Sequence, residues 1–410
     1  MKADVMLFEV GQKMTIVGAD TAWVLISSAL VLLMVPGLAL FYGGLVQRKN
    51  VLSSMMHSFV AMGVITIEWI VIGYSLAFAP GNWFIGGLDN IFLRGIDPYS
   101  VTGTIPTYAF VAFQGMFAII TPALISGAIV GRIKFKSYIA FILLWGLIVY
   151  APIAHWVWGG GFLTGRALDF AGGTVVHISS GISSLAILAY LGKRRGYGID
   201  SIKPHNVTLT LLGTGLLWFG WFGFNAGSSL AANEIATLAF LTTLVAPAAA
   251  GLGWMALEWN HFGHPTALGF STGVLAGLVA ITPAAGFVTP MAAIPIGLIA
   301  SFICYTAVGL KGRLGYDDSL DVFGVHGIGG MTGALLTGVF ASVGSAGLLL
   351  GNSSQLLIQL EGVAASAIYA AVCTLIIGFV INKTMGLKVS ESEENIGLDR
   401  TQHGEAAYNT

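Results

Sequence analysis

Two histidines follow aspartates inside long apolar stretches. Asp169 is followed by Phe-Ala-Gly-Gly-Thr-Val-Val and then His177; Asp321 is followed by Val-Phe-Gly-Val and then His326. Neutral imidazole offers one donor and one acceptor. Two of them side by side can hand a small polar solute along or relay a proton. The plainer reading is two separate histidines satisfied by helix packing. Asp169 stands where a helix begins, so its carboxylate can accept from the N–H groups of Gly172 and Gly173 as an N-cap. It can also supply a negative field that favours a nearby cation, and the two roles are compatible, with the cap weighing more. Asp321 is read as a cap only.

A second set of residues is aromatic. The run Pro152-Ile-Ala-His155-Trp156-Val-Trp158 ends in three glycines, and Gly220-Trp221-Phe-Gly-Phe224-Asn225-Ala-Gly227-Ser228 ends in a serine. Phe117 follows Gln114 and Gly115. The face of an aromatic ring attracts a small cation by about 2 kcal/mol or more when the site is desolvated. Ser228 adds a hydrogen-bond acceptor. Any one of these aromatics alone also reads as part of an interfacial belt.

The elements that carry these residues are set by composition. The chain has 410 residues, 56% hydrophobic and only 9% charged, where a soluble protein carries about 25% charged. Its mean hydropathy is +0.83. Disordered chains are charged and poor in apolar residues, so disorder is excluded. A net charge of −1 excludes an electrostatic binder of nucleic acid. Cys304 and Cys373 both sit in apolar runs and make neither a disulfide framework nor a metal site. The 56 glycines are about twice the usual 7% and fit close helix packing.

The expected fold is therefore an all-α polytopic membrane protein. A span needs roughly 20 apolar residues. Spans are expected at about 20–43, 52–79, 106–131, 135–157, 169–191, 205–229, 235–257, 266–285, 290–310, 322–343 and 356–382, eleven transmembrane helices in all. With the C-terminus inside, the inner loops hold fourteen of the 18 Lys and Arg residues and the outer segments hold four. The positive-inside rule thus gives N-terminus out and C-terminus in. Residues 1–19 form an extracytoplasmic segment without the pattern of a removable signal peptide. Residues 20–385 form the transmembrane domain, and 386–410 a polar, acidic cytoplasmic tail. The outer loop 80–105, with Pro80, Trp83 and Pro98, reads as ordered.

Ionisable groups inside a membrane are expensive and mark pathways. Those named within spans are Glu68, Asp169, His177, His326 and Glu361. Glu68, beside Trp69, reads as a hydrogen-bonded structural carboxyl, and Glu361 as interfacial. No Lys or Arg lies mid-span, which removes a retinal Schiff base and an arginine voltage sensor. The Asp-to-His stretches begin spans five apart. Five is odd, so the copies enter from opposite faces, the mark of an inverted 5+5 repeat followed by a final long helix. His177 lies about 12 Å in from one face and His326 about 7–8 Å in from the other.

These motifs together resemble the ammonium transporters of the Amt/Mep/Rh family. The resemblance rests on Pro36-Gly-Leu-Ala-Leu-Phe-Tyr-Gly-Gly44, on Asp169 to Gly181 running on to Gly192-Lys-Arg194, on Gly220 to Ser228 and on Asp321 to Gly327. It runs from about residue 20 to the C-terminus. The segment Gly397-Leu-Asp-Arg-Thr-Gln-His-Gly-Glu-Ala-Ala-Tyr408 looks like the microbial Amt tail rather than the Rh tail. The resemblance implies a homotrimer with one pore per subunit, no cofactor and no enzymatic activity. It implies that Phe117, Trp158 and Ser228 form an outer recruitment site, supported from behind by Asp169. Phe117 and Phe224 would be the stacked gate, and His177 and His326 the twin pore histidines. A tail of this type would pack on the neighbouring subunit, and a trimeric PII-type signalling protein would plug the pores from inside. Glu391, Glu393 and Glu394 would then help to steer a basic loop. The loop between Trp158 and Asp169 is about one residue shorter than the family leads one to expect, which touches the shape of the vestibule.

On these residues the expected function is recruitment of ammonium, deprotonation near the Phe gate and conduction of ammonia past the histidines. A sodium-coupled transporter would need a carboxylate-rich or unwound site at mid-membrane. A sensor that reports ammonium would use the same fold with a signalling domain added.

Overall fold

The computed structural model describes residues 15–199 and 202–408. Among them, ten helices are long and apolar enough to cross a membrane. They are α1 (Gly18–Leu45), α2 (Arg48–Phe78), α3 (Thr107–Ile129), α4 (Phe135–Trp158), α5 (Gly173–Leu191), α6 (Val207–Ser229), α7 (Glu234–Phe262), α9 (Pro290–Leu314), α10 (Phe323–Phe340) and α11 (Ser353–Thr384). Between α7 and α9 lies α8, a shorter apolar helix (Ala267–Ile281). Fifteen residues of α-helix rise only about 22 Å. The segment after it is nevertheless buried from Thr282 through Ala285. The reading of residues 1–19 as an outer segment falls mostly outside the described residues, and α1 already begins at Gly18.

Glycines decide which helices touch. A side chain on Gly213, Gly220 or Gly223 of α6 would run into α1, so the first and sixth spans cross with their backbones close together. Helices α5 and α10 do the same. Gly181 of α5 lies directly against Gly327 of α10, and Gly330 of α10 lies against the Cβ of His177. These glycines stand four residues after His177 and one and four residues after His326, so the contact that lets the backbones meet also brings the histidines together.

The outer loop between α2 and α3 is ordered. It carries a bridge between Gly81 and Gly86 and a hairpin of β1 (Val101–Thr102) and β2 (Ile105–Pro106), with Val101 opposite Pro106. His155 fastens it, its Nδ1 lying 2.9 Å from Ala77 O and its Nε2 2.8 Å from Asn82 O. On the opposite face the chain beyond α11 forms two short helices, α12 (Glu391–Ile396) and α13 (Leu398–His403). Ser390 and Glu393 close a capping box on α12. The tail is held to the body: Leu398 N–H donates to Asn50 Oδ1 (2.8 Å), Ser53 N–H to Asp399 Oδ1 (2.8 Å) and Lys49 Nζ to Glu394 O (2.8 Å).

Candidate functional site

The fifth span does not open as an ordinary helix. After Asp169 the chain passes Gly172 at φ 111° and enters a wide π-helical turn, Gly173–Ile178, that carries His177. The Asp169 carboxylate holds this turn with four main-chain hydrogen bonds. Oδ1 accepts from Gly172 (2.9 Å) and Gly173 (2.6 Å), and Oδ2 from Thr174 (2.9 Å) and Val175 (3.1 Å). The cap expected from sequence is present with twice the expected donors. Its main-chain carbonyl does a second job, accepting from Trp158 Nε1 at 3.0 Å.

Helix α10 opens the same way, on a π-helical turn Phe323–Gly327 that carries His326. Here Asp321 is not the cap. Its backbone has φ 61°, and its carboxylate pairs with Lys311 instead. Asp318 accepts from Phe323 N–H at 2.7 Å. Asp318 stands eight residues before His326, as Asp169 stands eight before His177. That shared interval was the available signal; the sequence motif drew the eye to the nearer aspartate.

From the Trp158 end to the His326 end, the named residues lie in one continuous file. A cavity of about 300 Å³ is lined by Phe117, Trp158, Phe170 and Ser228 among others. Phe117 meets Trp158 edge to face, with ring centroids 6.0 Å apart. Behind it Phe224 lies 4.4 Å from Phe117 between centroids, tilted by 40°. Both phenylalanines are buried. Ser228 spends its proton on Phe224 O (2.8 Å), which leaves its oxygen as an acceptor. Phe224 stacks on His177 at 6.0 Å, and His177 on His326 at 5.2 Å. The Nδ1 atoms of the two histidines are 3.2 Å apart, so one donates and the other accepts. His177 Nε2 is buried without a hydrogen-bond partner.

A cavity of about 20 Å³ touches Phe224, His177 and His326, with walls of Leu38, Leu217 and Leu275. That is about the room of one water-sized molecule. Below it an inner vestibule of about 290 Å³ shares Phe41, Tyr42, Leu275 and His326 with the narrow cavity and reaches Arg194, Lys311 and Asp321. In sequence the cavities present aromatic faces and a hydroxyl oxygen, then two closed rings, then a narrow, largely apolar space beside the two imidazoles.

Several contributors are not among the residues singled out from sequence. Trp221 stacks on His177 at 5.5 Å and donates from Nε1 to Thr282 Oγ1 at 2.9 Å. Phe41 and Tyr42 line the path from α1. Their motifs are visible in the sequence, but nothing in a lone motif says which ring faces a pore. His57, His155 and Glu258 are further ionisable residues within spans. His57 is wholly buried against Tyr138 at 4.4 Å, with both ring nitrogens unpartnered. Glu68 is buried, but the hydrogen bonds expected of its carboxyl are not found among the described residues, and its Oε2 has no partner. Glu361 is exposed and pairs with Arg166 at 2.7 Å.

At the inner mouth, Arg132 and Arg194 share Asp317, at 2.6 Å and 2.7 Å. Burial alone would raise the Asp317 carboxyl, but the Arg194 hydrogen bonds and the two guanidinium charges outweigh it and hold it below its ordinary range. Of the three tail carboxylates, Glu394 is buried and Glu393 is used within the tail, by Ser390 and Gln402. Glu391 alone of the three stays exposed without a bond, so most of the expected acidic steering surface is turned inward.

The chain is similar to known proteins over nearly its whole length. The family model described as Ammonium Transporter Family matches residues 22–408. An ammonium transporter of Aquifex aeolicus is 52% identical over 95% of this chain and 93% of its own length. Among solved structures, Saccharomyces cerevisiae Mep2 superposes with a TM-score of 0.86 at 38% identity, covering 92% of this chain and 88% of that one. A sensor Amt protein superposes with a TM-score of 0.88 at 31% identity, covering 94% and 98%. On a match that spans nearly its whole length, this chain, a multi-pass membrane protein, belongs to the ammonium transporter family.

Proposed function

We propose that this transporter captures ammonium at Phe117, Trp158 and Ser228, strips a proton near the Phe117–Phe224 gate and conducts ammonia past His177 and His326. The observation that carries the proposal is the file itself: three cavities in series, joined through Phe117, Phe224 and the paired histidines. Ammonium and potassium are similar in size and charge, so a cage of carbonyls separates them poorly. Aromatic faces with a hydroxyl acceptor reward a cation that donates hydrogen bonds. A narrow apolar channel then penalises any charge that stays intact. Ammonium can shed a proton and potassium cannot. The buried His177–His326 pair lies at the constriction and can relay that proton. Asp169 supports the outer site indirectly, by fixing both Trp158 and the turn of His177.

In this reading the protein lies in the plasma membrane with eleven spans, α8 being the short one, its N-terminus outside and its C-terminus inside. Spans 1–5 and 6–10 form an inverted repeat. Support comes from the matched eight-residue intervals and matched π-turns of α5 and α10, and from the crossing of α1 with α6. The functional unit is a homotrimer with one pore per subunit. Residues 386–410 are a cytoplasmic regulatory tail on which a PII-type protein acts.

The test is electrical and chemical together. Proteoliposomes holding the purified protein receive an ammonium pulse, with potassium as control, while current and uptake are read. Uptake of ammonium without a potassium response is expected. Equal responses to both ions, or dependence on sodium, would refute the proposed selectivity.

A further inference from the structure

Between the tail and the body lies a separate cavity of about 110 Å³. Lys49 and Asn50 of the first turn of α2, Arg194 and Arg195 beyond α5, and Glu394 of α12 line it. Three cations thus face one carboxylate. The acceptors around them are largely spoken for. Arg194 is paired with Asp317 through Nε and Nη2. Glu394 Oε1 accepts from the main-chain N–H of Arg195 at 2.7 Å. Lys49 donates only to main-chain carbonyls, Glu394 O at 2.8 Å and Asn395 O at 3.0 Å, so its charge is not cancelled there. Asn50 uses Oδ1 to accept from Leu398, which leaves its amide N–H groups to donate. The guanidinium of Arg195 makes no hydrogen bond or ion pair among the described residues. Donors and positive charge exceed acceptors and negative charge, in a space closed on several sides.

We propose that this cavity binds a phosphoryl-bearing anion. A guanidinium fork suits phosphate oxygens, and Lys49 supplies a compact second charge. The anion is either a soluble phosphate or the headgroup of an anionic lipid. Lys49 and Glu394 also hold the tail, and Arg194 lines both this cavity and the inner vestibule. Occupancy therefore ties the docking of α12 to the inner mouth of the pore.

Binding is read on the full-length protein by calorimetry with inorganic phosphate in detergent. In a second arm, native mass spectrometry follows phosphatidylglycerol retained from nanodiscs, against phosphatidylcholine. Arg195→Ala should weaken binding about tenfold, as loss of one charge-assisted contact does. The Arg195 side chain is exposed and supports no other group, so the variant should remain folded. Glu394→Gln should strengthen binding, because it removes the one carboxylate while keeping an oxygen for Arg195 N–H. Arg313→Ala, on the same face but outside the cavity, should change nothing. Saturable phosphate binding with this pattern supports the proposal and gives a soluble source. The same pattern for phosphatidylglycerol alone supports it and gives a lipid source. No saturable binding in either arm, or equal losses in Arg195→Ala and Arg313→Ala, would overturn it.

Discussion

Asp169→Asn separates two roles that a carboxylate can play at the mouth of a cation pathway. The side chain keeps its shape and loses its charge. In the structure each carboxylate oxygen accepts from two main-chain N–H groups, at 2.6–2.9 Å for Oδ1 and 2.9–3.1 Å for Oδ2. An amide keeps one oxygen. Its nitrogen must then face two N–H donors, so two hydrogen bonds are lost and replaced by donor–donor contacts. Hydrogen bonds to a charged group contribute about 1.5–3 kcal/mol each, so the turn that carries His177 should lose roughly 3–6 kcal/mol. The same displacement moves the carbonyl that holds Trp158 Nε1. Thermal unfolding of the purified protein in detergent should therefore show a clear drop for Asp169→Asn, and ammonium uptake in proteoliposomes should fall with it. If the variant unfolds at the wild-type temperature yet fails to transport, the capping argument is wrong and the residue acts through its field. If both stability and transport are unchanged, neither role stands.

Three other perturbations bear on the pathway and the tail. Trp158→Leu removes the ring beside Phe117; with a cation–π contribution of about 2 kcal/mol, apparent affinity should fall roughly 30-fold, and unchanged affinity and ammonium selectivity would discount the recruitment role. His177→Ala and His326→Ala should each reduce transport nearly as much as the double variant, because the two rings share one hydrogen bond; additive losses would mean two independent structural histidines. Truncation after Leu387 and Gly397→Asp should each lower transport without changing the oligomeric state read by sizing. Gly397 has φ 107°, and a Cβ there would collide with the Lys49 backbone and side chain. Full activity in both tail variants would leave the tail a solvated end.

Much of this protein is fixed by local chemistry. An apolar run long enough to span hydrocarbon must close its hydrogen bonds within itself, so helix positions follow from composition, and α9 begins at Pro290 as expected from sequence. Glycine at intervals along those runs signals close packing, and a lone aspartate before two glycines signals a cap. Local chemistry does not say which faces meet. The Asp-to-His motif points to Asp321 as the cap; the three-dimensional turn draws Lys311 to Asp321 and gives the role to Asp318. The histidine pair likewise depends on backbone contact at Gly181 and Gly327, two residues separated by about a third of the chain. The acidic residues of the tail read as a steering surface, yet Glu394 is buried, held by Lys49 of α2 at its carbonyl and by the Arg195 main chain at its carboxylate. Period and polarity are properties of neighbouring residues and survive in one dimension. Depth, pairing and the sharing of a charge between distant segments arise only when helices cross, because they depend on which side chains each crossing leaves room for.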